Sequence, residues 1–482
     1  MPGAGVLSGQ VAGASHGNPL KNGFITRQYL WAFSLTTSLF FLWGFAYGLL
    51  DVLNKHFQNT LHVTKLQSTG LQVAYFGVGY FAYSPVAAIV MKKYGYKKTF
   101  IMGLSLYSLG AILFWPVAAM TDKTDNKQAI FGGFVVCTAV IACGLATLEV
   151  GANSYVSIMP PVSVANFRLQ FSQSFNGVAS FTGPLIASKY FFGEDVKHSN
   201  NNVQYVYLAV AIAGVCVAAA YLFTKLPEPD LSDATAQENQ IITSMDGSEE
   251  SKKMTYARIF YGFATQFCYV GAQVTIGTFF LNYAHENGGF SDSKGSQMLS
   301  YGLIAFTVGR FVGTALLAFM SAPLLLGICT LACCALTCAI SSLKGGSGGV
   351  ICLIIIMFFE SVQYPIIFVL ATGNMGRFTK IAAGAVVMGV SGGAVFPPIQ
   401  GAIATSVNTR VSYWIALPAF IEIFSFAMWQ WKRAGFAIGL PKDVIPEVAE
   451  EEGSYHGGDE KLAVDEQLDN KNEMEYVERA RY

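Results

Sequence analysis

Glu149 stands in the run CGLATLEVGANSYV, with an apolar stretch in front of it. A carboxylate at that depth costs about 2.5–3.5 kcal/mol on insertion scales, so it persists only where it faces a wet or paired interior. Such acids mark ion or substrate paths. A second acid, Asp51, lies in the apolar run TTSLFFLWGFAYGLLDVL, with Asn54 one turn on. Two acids embedded in otherwise uncharged hydrophobic sequence suit proton-coupled transport. Amides and aromatics accompany them: Asn153 and Tyr155 beside Glu149, and Gln173 and Asn176 one turn apart in FRLQFSQSFNG. Gln266, Tyr269, Gln273 and Asn282 follow in ATQFCYVGAQVTIGTFFLNY, and Glu360, Gln363 and Tyr364 in FESVQYPII. Amides supply the paired donors and acceptors that sugar hydroxyls need, and aromatic faces suit the C–H face of a pyranose. The same amides can instead join helix to helix, for about 0.6 kcal/mol each. Arg310 either pairs with a carboxylate or caps a helix end.

The elements that position these residues are membrane helices. The 482-residue chain is 53% hydrophobic and only 12% charged, against roughly 25% charged in soluble domains. Its net charge is zero, which gives no sign of nucleic-acid binding. About 20 mostly apolar residues span a bilayer. Twelve such runs occur, near 30–54, 67–91, 98–120, 129–156, 168–191, 203–224, 256–283, 297–320, 322–342, 349–372, 380–407 and 411–431. The fold class expected is an all-α membrane protein of twelve spans in two six-helix halves. The domains are an N-terminal segment over 1–29, bundles over 30–224 and 256–432, a polar central loop over 225–255, and an acidic tail over 433–482. Both terminal segments read as disordered. Lys92, Lys93, Lys97, Lys98, Lys225, Lys252, Lys253, Arg258, Arg377, Lys380, Lys432 and Arg433 all fall on one side of the membrane. By the positive-inside rule that side, with both termini, is cytoplasmic.

The first 28 residues lack an apolar core, so no cleavable signal peptide is expected and the first span acts as the targeting signal. No N-x-[ST] sequon occurs. Cys329, Cys333, Cys334 and Cys338 recur at helical spacing, but without His or acid neighbours they read as small packing residues, not metal ligands. The glycines of GVGYF, GRFVG and GVSGGAVFPP read as the interfaces on which the halves rock. An internal echo links LEVGANSYV with FESVQYPII, and parallel repeats belong to carriers whose two halves move about a central site.

In chain order FFLWGFAYGLLDVL, MKKYGYKK, LFWPVAA, LEVGANSYV, FRLQFSQSFN, QFCYVGAQ, GRFVGT and FESVQYPIIF resemble the L-fucose–proton symporter and glucose/galactose permease family of the major facilitator superfamily, over roughly residues 30–432. The resemblance implies that Asp51 and Glu149 are the acids of sugar transport and proton coupling. It also matches Asn153, Gln173, Asn176, Gln273 and Gln363 to the family's polar residues. The chain departs from the fucose permease at Tyr47–Leu50, which replaces an asparagine-rich stretch, near Gly277, where a tryptophan is absent, and at Glu360, an apolar position there.

The function expected is import of a monosaccharide with a proton by alternating access. Glu149 and Asp51 couple the proton, and Asp51, Asn153, Gln173, Asn176, Gln273, Glu360, Gln363 and Tyr364 bind the substrate. Protons are the coupling ion, and no cofactor, metal or enzymatic activity is implied. The lipid bilayer is a partner, the plasma membrane in this reading, and the carrier works as a monomer. A carrier or exporter of a non-sugar solute is the first alternative, favoured by Glu360; a non-transporting nutrient sensor is the second.

Overall fold

The structure is a computed structural model that describes residues 23–60, 70–120, 126–192, 201–227, 251–373 and 375–439. Side chains are described over the same stretches except 47–60, 181, 183–192, 201–204, 206, 292, 293 and 377. By contacts, Met1–Leu440 is one compact unit. The other unit, Pro441–Tyr482, lies outside the described residues, as does most of the expected central loop.

Twelve helices follow the twelve apolar runs. Helix α1 is Leu30–Thr60. Helix α2 begins as a π-helical stretch, Val73–Ala82, and passes into Ser84–Met120, which Gly95 divides. Gly95 has φ 79°, a conformation that only glycine adopts without strain, so α2 covers 73–94 and α3 covers 96–120. Then come α4 (Lys127–Ile158), α5 (Ala165–Phe192) and α6 (Asn201–Phe223). The second half holds α7 (Lys252–Thr278, with a short continuation Phe280–Glu286), α8 (Asp292–Leu316) and α9 (Ala322–Ser342). It ends with α10 (Gly348–Glu360 and Gln363–Thr372), α11 (Thr379–Met388 and Gly392–Ser406 about a 3-10 turn) and α12 (Thr409–Ser412 and Ala416–Arg433 about another). Eight continuous stretches among the described residues are long and apolar enough to cross a membrane by themselves, one of them holding both α2 and α3. The amides and Arg168 on α5, and the amides on α7, lower the hydropathy of those two helices.

Cations finish the helices. A helix C-terminus leaves carbonyls without partners and carries partial negative charge. Lys97 Nζ donates to the carbonyls of Leu222 (2.9 Å) and Thr224 (3.0 Å) at the end of α6. Arg410 does the same for Ser341 at the end of α9. Arg168, fully buried, donates to the carbonyls of Val156, Ser157, Met159, Pro161 and Phe24, which closes α4 onto the start of α5. Glu149 and Gln173 are thereby held in register.

Parts of both expected terminal segments belong to the folded bundle. Residues 23–29 are pinned: Phe24 packs on Phe33, Phe167 and Phe171, and its carbonyl accepts from Arg168. After α12, Ser321 Oγ donates to the carbonyl of Ala437 (2.6 Å) and Ser321 N to that of Ile438 (3.1 Å), so residues 434–439 belong to the folded bundle. The partners lie far away in sequence.

Most of the glycines expected at rocking interfaces sit inside one half instead. A Cβ at Gly79 would strike Ala142 of α4, one at Gly309 would strike Phe358 of α10, and one at Gly392 would strike Phe267 of α7. Close approaches across the halves among the described residues include Gly384 against Ala88, Gly393 against Phe76, Gly177 against Arg310 and Thr307, and Gly313 against Gln170. A glycine motif marks a near neighbour without saying which helix supplies it.

Candidate functional site

The centre of the bundle is built on α4, α5, α8 and α10. Helix α10 breaks because Pro365 has no N–H for the carbonyl of Ser361 and its ring crowds that carbonyl. The first part ends at Glu360 and the second starts at Gln363. At the break, Tyr269 Oη of α7 donates to the carbonyl of Glu360 at 3.0 Å. Non-helical backbone at membrane depth needs such a partner.

Five of the expected site residues come together across the two halves. Tyr364 Oη donates to Glu149 Oε1. Asn153 Nδ2 donates to Tyr364 Oη at 3.4 Å, and Gln173 Nε2 donates to Asn153 Oδ1 at 3.3 Å. Asn176 Nδ2 reaches the carbonyl of Phe40 on α1 at 3.2 Å. All five are buried, Glu149 at 3% exposure. Asn153 and Tyr364 are 211 residues apart, the same interval that separates Glu149 from Glu360, so the echo in sequence is a contact in space. Trp43 of α1 and Tyr269 flank Tyr364, each ring centroid 6.1 Å away. Trp43 Nε1 donates to Tyr75 Oη at 3.3 Å, and Tyr75 and Tyr80 hydroxyls meet at 3.4 Å on the α2 side.

The remaining expected residues lie elsewhere. Glu360 and Gln363 are buried within the second half: Gln363 Nε2 donates to Cys333 Sγ of α9 at 3.3 Å. Glu360 Oε2 and Gln363 Oε1 have no hydrogen-bond partner among the described residues. Gln273 is half-buried on α7. Asp51 and Asn54 fall on the α1 helix, but their side chains lie outside the described residues.

Among the described residues Arg310 neither caps a helix nor hydrogen-bonds to a carboxylate. It is buried on α8, and Nη1 donates to the carbonyl of Gln173, to Gln173 Oε1 (3.2 Å) and to Asn176 Oδ1 (2.8 Å). Phe306 of its own helix lies under the guanidinium, 4.7 Å from ring centroid to Cζ. Sequence reasoning also passed over two charged residues. Arg168 is the first, set in the polar opening of α5. Glu422 is the second, alone in ALPAFIEIFSFAMW, where an acid inside an apolar run was signal enough. Its Oε1 accepts from Thr265 Oγ1 of α7 at 2.8 Å, which joins α12 to α7 within the second half.

A twelve-helix membrane bundle with a buried polar centre shared by two halves is the build of an alternating-access carrier. Residues 32–396 match the Major Facilitator Superfamily. The chain is 32% identical over 433 residues to the L-fucose-proton symporter of Escherichia coli (strain K12), covering 85% of this chain and 95% of that protein. It is 26% identical over 408 residues to the glucose/galactose transporter of Brucella abortus biovar 1 (strain 9-941), covering 83% and 94%. The crystal structure of FucP in the outward conformation superposes with a TM-score of 0.69 at 31% identity, covering 84% of this chain and 99% of that one. The chain belongs to the major facilitator superfamily, close to its L-fucose–proton symporters and glucose/galactose transporters, a group of membrane transporters and not of enzymes.

Proposed function

We propose that this protein imports a monosaccharide together with a proton, by alternating access, across the plasma membrane, with both termini cytoplasmic. The observation that carries the reading is the hydrogen-bonded centre in which Glu149 meets Asn153, Gln173, Asn176 and Tyr364 between the halves. Amides and hydroxyls on both halves offer a polyol what it needs, so a bound sugar bridges the halves and favours closure. Trp43, Tyr269 and Tyr364 supply aromatic walls. Glu149 is the coupling carboxylate: protonation removes a charge that a dry, closed intermediate disfavours. Asp51 is the second acid of proton coupling and substrate binding in this reading, and Gln273 extends the substrate surface on α7. The bundles over 30–224 and 256–432 are the moving bodies, and the carrier acts as a monomer. The names of the relatives support L-fucose, glucose or galactose as the sugar class.

The test is a substrate screen in proteoliposomes under an imposed pH gradient, with Glu149→Gln beside the wild type. The amide mimics the protonated acid and cannot carry a proton, so the variant exchanges labelled sugar in counterflow but does not accumulate it. Accumulation at the wild-type level by Glu149→Gln removes Glu149 from the coupling role. Glu360 Oε2 and Gln363 Oε1, buried acceptors without donors, favour a second reading in which the solute is not a simple sugar. A screen in which no monosaccharide drives counterflow decides for it.

A further inference from the structure

Four donors in the centre form one series. Arg310 Nη1 donates to Gln173 Oε1, Gln173 Nε2 to Asn153 Oδ1, Asn153 Nδ2 to Tyr364 Oη, and Tyr364 Oη to Glu149 Oε1. The two ends dictate this polarity. A guanidinium has donors only, so Gln173 must turn its oxygen to Arg310 and its nitrogen to Asn153. Asn153 must then present Oδ1 to Gln173 and Nδ2 to Tyr364, which leaves the tyrosine proton for Glu149. An ionised carboxylate has acceptors only, so the far end asks for the same order. The chain crosses between the halves three times: Arg310 to Gln173, Asn153 to Tyr364, and Tyr364 to Glu149. Hydrogen bonds aligned in series polarise one another.

We propose that Arg310 is a positioning residue that neutralises ionised Glu149 through this chain and so lets the empty carrier close and return. The proposal rests on the reading of Glu149 as the coupling carboxylate. The chain links a cation on one half to an anion on the other without a direct bond between them, and both remain in the dry centre. Sugar recruits Gln173, Asn153 and Asn176, the residues that form the chain and hold Arg310. Solute therefore breaks it. With the chain broken, an ionised Glu149 is left without its donor series in a closed site, which is unfavourable. A proton on Glu149 removes that cost. Two species then close: the empty, ionised carrier with its chain intact, and the carrier loaded with sugar and proton. The carrier with sugar alone does not, and that exclusion is what couples the two fluxes. The remaining aromatic hydroxyls near this path, Tyr80 and Tyr75 on α2 and Tyr269 on α7, supply no cation.

The experiment compares two modes in the same proteoliposomes, using a labelled sugar that the wild type exchanges, chosen from L-fucose, D-glucose and D-galactose. Equilibrium exchange uses only the loaded steps; net downhill efflux also needs the empty return. Arg310→Gln is expected to keep exchange within about threefold and to lose net efflux roughly tenfold to hundredfold, the scale of a lost charge-assisted bond. The double variant Glu149→Gln with Arg310→Gln, which has neither charge, is expected to regain net efflux. A purely structural arginine gives no such rescue. Wild-type efflux in Arg310→Gln, or failure of the double variant to regain efflux, overturns the proposal. If Arg310→Gln loses both modes through misfolding, recovery of both in the double variant still supports it, and inactivity of both proteins overturns it. Uphill accumulation by Glu149→Gln alone, in contrast, refutes the reading of Glu149 and leaves a separate signature.

Discussion

Replacing Gly384 by alanine should open the carrier on the face that bears the lysine-rich loops. Gly384 of α11 lies against α2, and a Cβ there falls deep inside the radius of the Ala88 methyl, with Ser84 O at 3.4 Å and Ala88 Cα at 3.8 Å. None of these atoms is the end of a flexible side chain, so the new methyl cannot be accommodated by a rotamer change. The helices must separate by roughly 1 Å or more to restore a carbon–carbon distance of about 3.5–4.0 Å. Overpacking of this kind costs about 1–3 kcal/mol. The contact joins the two halves, so the cost applies to the state in which they touch here, and 1–3 kcal/mol moves that equilibrium by about 5–150-fold. Lys380 lies over the Tyr96 ring at 5.4 Å on the same face and should separate with it. Spin labels at exposed Lys92 and Ile381, in a background without accessible cysteines, report the opening as a longer distance population. Ala88→Gly in the same protein removes the opposing methyl and should restore the original distribution. An unchanged distribution in Gly384→Ala, or no restoration by Ala88→Gly, refutes the argument that this contact closes the halves.

Other outcomes follow from single contacts. Tyr364→Phe deletes the hydroxyl that serves Glu149 and Asn153; at about 1.5–3 kcal/mol for a bond to a charged group, net sugar flux should fall roughly tenfold to hundredfold while the purified protein keeps its thermal stability. Glu360→Met should change the ranking of competing solutes in a counterflow panel and leave proton-driven accumulation intact; an identical ranking places Glu360 outside the substrate surface. Truncation from Pro441 should leave transport kinetics unchanged, since among the described residues the last pinned segment ends at Gly439, whereas truncation from Ala437 removes the partners of Ser321 and should lower the melting temperature of the purified protein.

The amino-acid sequence by itself determined the twelve spans and their order, because a bilayer sets the length of an apolar run and a buried acid is too costly to be incidental. It also singled out Glu149, Asn153, Gln173, Asn176 and Tyr364, since polar groups at membrane depth are few. The break in α10 was written in Pro365, and the divide between α2 and α3 in Gly95. Tertiary structure decided which of these residues meet. Gln363 carries the same amide as Gln173, yet it turns to Cys333 inside its own half, while Gln173 lies on the interface. A helix repeat of 3.6 residues places a side chain on a face but not against a particular neighbour. Arg310 shows this most clearly: its charge was visible, but the amides that receive it stand on α5, more than a hundred residues earlier, and only packing of the two halves brings them within hydrogen-bond distance. The same holds for Arg168, whose five carbonyl partners come from the end of α4, the turn that follows it and the segment before α1. Backbone carbonyls are identical in every residue, so no sequence pattern can announce which ones a buried guanidinium will gather.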